Sequence, residues 1–327
     1  VSPAAGGDGA PAAHLALGPG REFDLVRAMI ERWGDVAQGI GDDAASLVMP
    51  PGERLVVSTD ASVEGAHFRR AWLTPEEIGW RAAASALSDL AAMAARPLGL
   101  VLALALPDYW RADALAVADG VGAAARQAGT PIVGGDLVRA TELGLTITVL
   151  GAAAHPVGRG GARAGDALYV TGALGGPRLA LAAWERGEAP APAARARFAR
   201  PVPRIAEARW LAAHGARALV DVSDGLAADV RHLAVASGVR IVIERDRVPC
   251  LAGAGPADAL AGGEEYELAL AAPRELDVQA FASRFGVALT RIGRVEASRD
   301  GEAGSVEIRD AGGGRVEIPS GHDHLSG

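Results

Sequence analysis

The stretch that most limits the possible folds runs from Thr74 to Pro107. TPEEIGWRAAASALSDLAAMAA carries a full helix start signal, with Thr74 at the N-cap, Pro75 at the first helical position and Glu77 completing a capping box. An apolar run of strand length, LGLVLALALP, follows it directly. RADALAVADGVGAAARQAG then reads as a helix ended by Gly129, and TPIVGGD and LGLTITVLGAA as two further strands. Upstream, EFDLVRAMIERW has helical spacing, and GIGDDAASLVMPPGERLVVSTD reads as two strands joined by a Pro-Gly turn. A β-α-β-α-β order of this kind requires a layered α+β or α/β architecture, because each element has an apolar side to bury against another.

A glycine- and arginine-rich link, HPVGRGGARAGD, leads into a second set of elements. These are the strand ALYVTG, a helix from about Pro177, a Pro/Ala-rich stretch and a helix before His214. A strand-turn-helix, ALVDVSDGLAADV, follows, and then the strands GVRIVIERD, YELALAAP and VALTRIGRV. The chain thus divides into a flexible Ala/Gly/Pro-rich tail over 1–20, an N-terminal domain over 21–153 and a C-terminal α/β domain over 154–327. With 327 residues, half of them hydrophobic, it is long enough for each domain to bury its own core.

Charge and residue usage remove several classes of function. All 32 basic residues are arginines, which excludes a P-loop and Schiff-base chemistry, both of which need lysine. A net charge of −8 and the lack of a basic cluster interleaved with aromatics argue against a nucleic-acid partner. One cysteine, Cys250, can form neither an internal disulfide nor a cysteine-built zinc site, and it fits a reducing, cytoplasmic setting. The most apolar region, 82–106, is interrupted by Asp89, Arg96 and Pro97, and so does not read as a membrane span.

What remains unexplained is a series of acids. Asp42 and Asp43 in GIGDDAA, Asp60 in VVSTDASVEGAHF, Asp136 in VGGDLVRA, and Asp221 and Asp224 in VDVSDGL all stand at strand ends or turns. Singly, each reads as a turn former or helix cap, and Asp224 could simply cap the helix that starts near Leu226. Asp89 is different: it lies inside a helix among Ala, Leu and Met, with Ser85 and Ser88 nearby. Taken together, oxygen-only ligands from many strand ends suit Mg²⁺ bound with waters and phosphate oxygens. Glycine-rich turns at 134–135, 158–161 and 172–176 offer backbone amides for phosphate, and Arg159 offers charge. His67 is close in sequence to Asp60, and Glu264 and Glu265 stand at the mouth of the strand that contains Tyr266.

GIGDDAA, STDASVEGAHF, SALSDLAAMAARP, VGGD, VDVSDGL and GGEEYEL, in this order, resemble the thiamine-monophosphate kinases of the aminoimidazole-ribonucleotide-synthetase-like ATP-binding superfamily. The resemblance runs from about Arg21 to His324. It implies a two-domain protein whose N-terminal domains pair across a homodimer, with ATP and several Mg²⁺ ions near that junction. By the same resemblance Asp43, Ser58, Thr59, Asp60, Asp89, Asp136, Asp221 and Asp224 would be metal ligands. Gly135, Asp136, Arg159 and Ser223 would contact ATP, and His67, Glu264 and His322 would contact thiamine monophosphate. The implied reaction is direct in-line transfer of the γ-phosphoryl of ATP onto thiamine monophosphate, with no residue serving as a general base. Two positions depart from the family pattern: His322 stands where an aromatic residue is usual, and Pro177 replaces a small polar residue. A superfamily cyclo-ligase that activates an amide oxygen, and a non-catalytic Mg-ATP-binding protein, are the alternatives.

Overall fold

The computed structural model describes residues 13–273, 275–298 and 304–317. Its elements are, in chain order, α1 (Arg21–Trp33), β1 (Arg54–Val63), α2 (Pro75–Ala92), β2 (Arg96–Leu106), α3 (Ala114–Ala128), β3 (Ile132–Arg139) and β4 (Gly144–Ala153). They continue with β5 (Ala167–Thr171), α4 (Gly176–Glu185), α5 (Pro192–Ala199), α6 (Ile205–Ala213), β6 (Ala218–Asp221), α7 (Leu226–Ser237) and β7 (Arg240–Glu244). The remainder are α8 (Pro256–Ala261), β8 (Leu268–Ala272), α9 (Val278–Phe285), β9 (Leu289–Glu296), β10 (Ser305–Arg309) and β11 (Arg315–Val316). Two compact units are formed. Among the described residues, one comprises those within Val1–Met49, Thr59–Ala83 and Pro97–Leu150; the other comprises those within Pro50–Ser58, Ala84–Arg96 and Gly151–Gly327.

The capping box that starts α2 forms in both directions. The Glu77 amide donates to Thr74 Oγ1 at 3.2 Å, and the Thr74 amide donates to the Glu77 carboxylate at 2.9 Å. Helix α3 ends as expected at Gly129, whose φ of 65° is the left-handed conformation glycine adopts without steric cost. In the first unit α2 crosses α3 at a pair of glycines. A Cβ on Gly79 would lie 1.9 Å from the Val117 carbonyl oxygen, and one on Gly120 would lie 1.9 Å from that of Glu76. Only glycine lets two backbones approach this closely.

β1, β4, β2 and β3 form a four-stranded sheet in that spatial order, with β2 and β3 parallel. From Leu100 to Leu106 the buried Leu100, Leu102, Leu104 and Leu106 alternate with the half-buried Val101, Ala103 and Ala105, as expected of a sheet covered mainly on one face. The sequence pattern predicts two strands before Asp60, but the structure forms only β1. Residues 37–53 carry no strand beyond the isolated bridges Ala37↔Ile132 and Ile40↔Asp42, and Val48 is 89% exposed. An apolar run becomes a strand only where a neighbouring strand can take its hydrogen bonds.

The second unit is built on a seven-stranded mixed sheet, ordered β11-β10-β7-β9-β5-β8-β6. β7 and β10 pair in parallel, and β5 pairs antiparallel with both β8 and β9. All five residues of β5 are buried, because the sheet is covered on both faces. Leu168 and Val170 point to the side of Leu226, Val230 and Leu233 on α7, and Tyr169 points to the side of Leu211 on α6 and Phe281 on α9. The Pro/Ala-rich stretch contributes a helix, α5, which periodicity alone does not reveal.

Candidate active site

In the second unit β6 ends at Asp221, and the chain turns through Val222–Gly225 into α7. Asp221 is 4% exposed and accepts a hydrogen bond from Ser88 Oγ at 2.7 Å. Burial, with the charge of Asp89 as the next contribution, pushes its carboxyl up to about 6. Asp89 accepts a short hydrogen bond from Ser58 Oγ. Ser58 with Asp89 and Ser88 with Asp221 are thus two hydrogen-bonded pairs whose carboxylates repel each other electrostatically. Ser88, which the sequence marks only as a neighbour of Asp89, is what fixes the Asp221 carboxylate.

The turn itself is held by a residue that sequence reasoning misses. Asp229, on α7 and 1% exposed, accepts the backbone amides of Ser223 and Asp224, each at 3.1 Å. Ligand atoms of Asp224, Asp229 and His232 lie within 4.8 Å of one another. Burial, followed by the charges of Asp221 and Asp224, pushes the Asp229 carboxyl up to about 8. A carboxylate at a buried position of an otherwise apolar helix face is the only signal in the sequence, and it is the same signal that singles out Asp89.

GGEEYEL is clamped to this turn. The Glu264 amide donates to the Ser223 carbonyl at 2.7 Å, the Glu265 and Tyr266 amides donate to that of Val222, and the Val222 amide returns a bond to Glu267. Glu264 and Tyr266 both have positive φ, at 64° and 54°, a strained conformation for residues with side chains. The Tyr266 hydroxyl donates to the Glu264 carboxylate, so this strained segment presents Glu264 in a fixed direction beside Ser223. Arg159 is exposed, and its charge slightly offsets the upward shift of Asp221. Its loop is tied down by Ser237, whose Oγ donates to the Arg159 carbonyl and accepts the amides of Gly161 and Ala162.

The donor set suits a hard divalent cation. Apart from His232 its members are carboxylate or hydroxyl oxygens, and burial, followed by neighbouring carboxylates, raises Asp221 and Asp229.

The other expected residues lie in the first unit. Thr59 and Asp60 are on β1, where Thr59 Oγ1 and Thr148 Oγ1 are 3.0 Å apart. Gly135 and Asp136 are exposed on β3. A Cβ on Gly135 would lie 2.2 Å from the Leu102 carbonyl oxygen, so sheet packing alone accounts for that glycine. β1 and β3 are the two outer strands of the sheet, so Asp60 and Asp136 are separated by three inter-strand steps, roughly 14 Å. Asp43 is exposed, and its amide donates to the Asp42 carboxylate at 2.9 Å. His67 Nδ1 accepts the Val63 amide at 3.2 Å, which leaves the proton of a neutral ring on Nε2. His322 lies outside the described residues.

A second group of acids in the same unit as Asp221 contains one member that behaves differently. Glu267 is 1% exposed and takes both Nε and a terminal nitrogen of Arg204 at 2.9 and 2.6 Å. It also accepts from Arg197 at 2.8 Å and from Thr171 Oγ1 at 2.6 Å. Burial raises the Glu267 carboxyl, but the two arginines outweigh it and hold it below the usual range. Glu265 is also buried and is pushed up to about 8 by desolvation. Its carboxylate takes the Gly175 amide, so the 172–176 turn serves an internal acid. A Cβ on Gly172 would meet the Glu267 carboxylate at 2.4 Å, which explains that glycine.

Comparison with known proteins matches most of the chain. Residues 41–153 match the family described as AIR synthase related protein, N-terminal domain, and residues 163–305 match the corresponding C-terminal domain. A thiamine-monophosphate kinase of Mycobacterium tuberculosis (strain CDC 1551 / Oshkosh) is 40% identical over 247 residues, covering 71% of this chain and 74% of that protein. The chain belongs to the thiamine-monophosphate kinase family. Within this family, the thiamine-monophosphate kinase of Stenotrophomonas maltophilia K279a superposes with a TM-score of 0.77 at 35% identity, covering 89% of this chain and 96% of that one. A structure of AaThiL complexed with AMPPCP and TMP gives a TM-score of 0.73 at 32% identity, covering 93% and 96%. Among the described residues no helix is long and apolar enough to cross a membrane.

Proposed function

We propose that the protein transfers the γ-phosphoryl group of ATP directly to thiamine monophosphate, giving thiamine diphosphate and ADP, with Mg²⁺ as the required metal. The observation that carries this reading is the under-neutralised oxygen group around Asp221 and Asp224, clamped by backbone hydrogen bonds to the strained segment that presents Glu264. Family membership and the AMPPCP- and TMP-bound relative support it.

In this reading Ser58, Asp89, Asp221 and Asp224 would be the Mg²⁺ ligands of the second unit, and Asp43, Thr59, Asp60 and Asp136 those of the first. Mg²⁺ bound there would neutralise phosphate charge and screen two polyanions from each other. The nucleotide-contacting residues would be Ser223 and Arg159 in the second unit and Gly135 and Asp136 in the first. His67 and Glu264 contact thiamine monophosphate, with the Tyr266 hydroxyl fixing the Glu264 carboxylate. An oxygen of the acceptor phosphate attacks the γ-phosphorus in line, a P–O bond forms, and the bond to the ADP oxygen breaks. That oxygen is already anionic at neutral pH, so the residues need to position and neutralise rather than remove a proton.

The active form is a homodimer paired through the N-terminal domains. Asp60 and Asp136 stand on opposite outer strands of one sheet, and apolar side chains are exposed on those same strands, Leu55 and Val57 on β1 and Val138 on β3. Edge strands with exposed apolar residues are suited to pairing with a second copy.

The test is a coupled assay with ATP, Mg²⁺ and thiamine monophosphate, run on the wild type and on Asp224→Ala. Thiamine and the aminoimidazole cyclo-ligase substrate serve as alternative acceptors. Thiamine diphosphate from the wild type and none from the variant is the expected result. Nucleotide binding with no phosphorylated thiamine product would overturn the kinase reading.

A further inference from the structure

The turn that carries Ser223 and Asp224 has little to hold it locally. Gly225, the N-cap of α7, has no side chain with which to cap the helix, and its φ of 118° directs the chain sharply into α7. Two consecutive amides, those of Ser223 and Asp224, precede the helix and need a partner. Asp229 lies one turn into α7, tethered by its own amide to the Gly225 carbonyl at 2.9 Å. Its carboxylate reaches back and accepts both amides on the same oxygen, Oδ2. From the other side the Ser223 carbonyl takes the Glu264 amide, so the peptide groups on either side of Ser223 are fixed by separate elements.

Extending the phosphoryl-transfer reading above, we propose that Asp229 is a positioning residue for that reaction: by accepting the Ser223 and Asp224 amides it sets the direction in which those two side chains meet Mg²⁺ and nucleotide. Asp229 itself acts through the turn and not on the reacting atoms. Two amide donors converging on one buried carboxyl oxygen form a stiff joint, which a solvent-exposed loop would lack. Without it the two amides lose their acceptor, and the turn can relax away from the geometry that aligns Ser223 with Asp224. The expected consequence is weaker nucleotide binding in the presence of the metal, because that is where both side chains contribute together.

The test uses the full chain and measures equilibrium binding of AMPPCP with and without Mg²⁺, alongside thermal stability. Asp229→Ala is expected to lose about tenfold in Mg²⁺-dependent AMPPCP affinity, as removal of two hydrogen bonds to the turn allows. Asp229→Asn, which keeps an oxygen to accept both amides, is expected to stay within about threefold of the wild type. Val230→Ala, a neighbouring core variant on the same helix, controls for lost stability and is expected to lower the melting temperature while leaving AMPPCP affinity unchanged. Unaltered binding in Asp229→Ala would overturn the proposal. So would an Asp229→Asn variant as weak as Asp229→Ala, which would mean that the charge of Asp229 acts directly on the metal. A Val230→Ala variant as weak as Asp229→Ala would reduce the effect to stability and overturn it equally. Because binding is read without turnover, a wild type that fails to phosphorylate thiamine monophosphate would sink the kinase reading while Asp229 is still decided by the AMPPCP measurements.

Discussion

Two groups of buried acids in the second unit are built to opposite ends. Glu267 is surrounded by Arg197, Arg204 and Thr171, and its carboxyl is held below its usual range. Asp221 and Asp229 are buried to a similar degree, yet their nearest charged neighbours are other carboxylates and their carboxyls are pushed up. Burial is the common cost, and what differs is where the compensating charge comes from. Around Glu267 the fold supplies its own cations. In the aspartate group it leaves the deficit for a ligand to fill, and the strained Glu264–Tyr266 segment sits beside that group. Carboxylate count does not distinguish a site from a structural knot, but unmatched charge does.

Variants should separate the two groups by the sign of their effects. The largest effect expected is on catalysis: Asp221→Asn should lower thiamine diphosphate formation by about 10²–10³-fold, as loss of a charge-stabilising group does. In metal-free protein the same change should leave the melting temperature equal or higher, because it removes repulsion with Asp89. A marked loss of stability in that variant would erase the contrast. Next, Arg204→Ala leaves Glu267 short of its main partner and should cost about 3–5 kcal/mol in urea unfolding, the usual penalty for breaking a buried ion pair. Little change there would make the glutamate group as ligand-like as the aspartate one.

Metal and nucleotide should act on the aspartate group alone. Saturating Mg²⁺-AMPPCP, at about 100 times its dissociation constant, should stabilise the wild type by about 2.7 kcal/mol, and EDTA should abolish most of this. Asp221→Asn should respond weakly, while a conservative change in the glutamate group should respond like the wild type.

The smallest effect is a pH dependence. The Glu265 carboxyl is raised to about 8 in the folded protein from an ordinary value of 4.5, chiefly by desolvation. Between those values the folded state binds the proton and the unfolded state has released it, so this residue makes stability fall as pH rises from about 4.5 to about 8. Glu265→Gln should remove that slope, leaving the variant relatively more stable at pH 8.5 than at pH 5 by an amount on the order of a few degrees in melting temperature. Identical slopes for variant and wild type would show that Glu265 stays ionised beside Arg197.

Much of the fold is written in local rules. The Thr74–Glu77 capping box, the stop at Gly129 and the β-α-β-α-β order all depend on neighbours within a few residues, and all are legible in the linear sequence. Of the two strands that the pattern before Asp60 predicts, only one forms, since a strand exists only where a partner lies alongside. The ordered motifs from GIGDDAA to GGEEYEL are enough to place the chain in its family, because their chemistry is written in residue type and order.

Tertiary structure decided which acids are matched. Arg204 lies 63 positions from Glu267, and Ser88 lies 133 from Asp221; spacing along the chain carries no trace of either pairing. Asp229 is, in one dimension, an ordinary aspartate on an amphipathic helix. Only the fold returns its carboxylate to the amides of Ser223 and Asp224. Residue identity determines which groups can ionise, but burial and neighbouring charge set what ionisation costs, and both arise only when distant segments pack together.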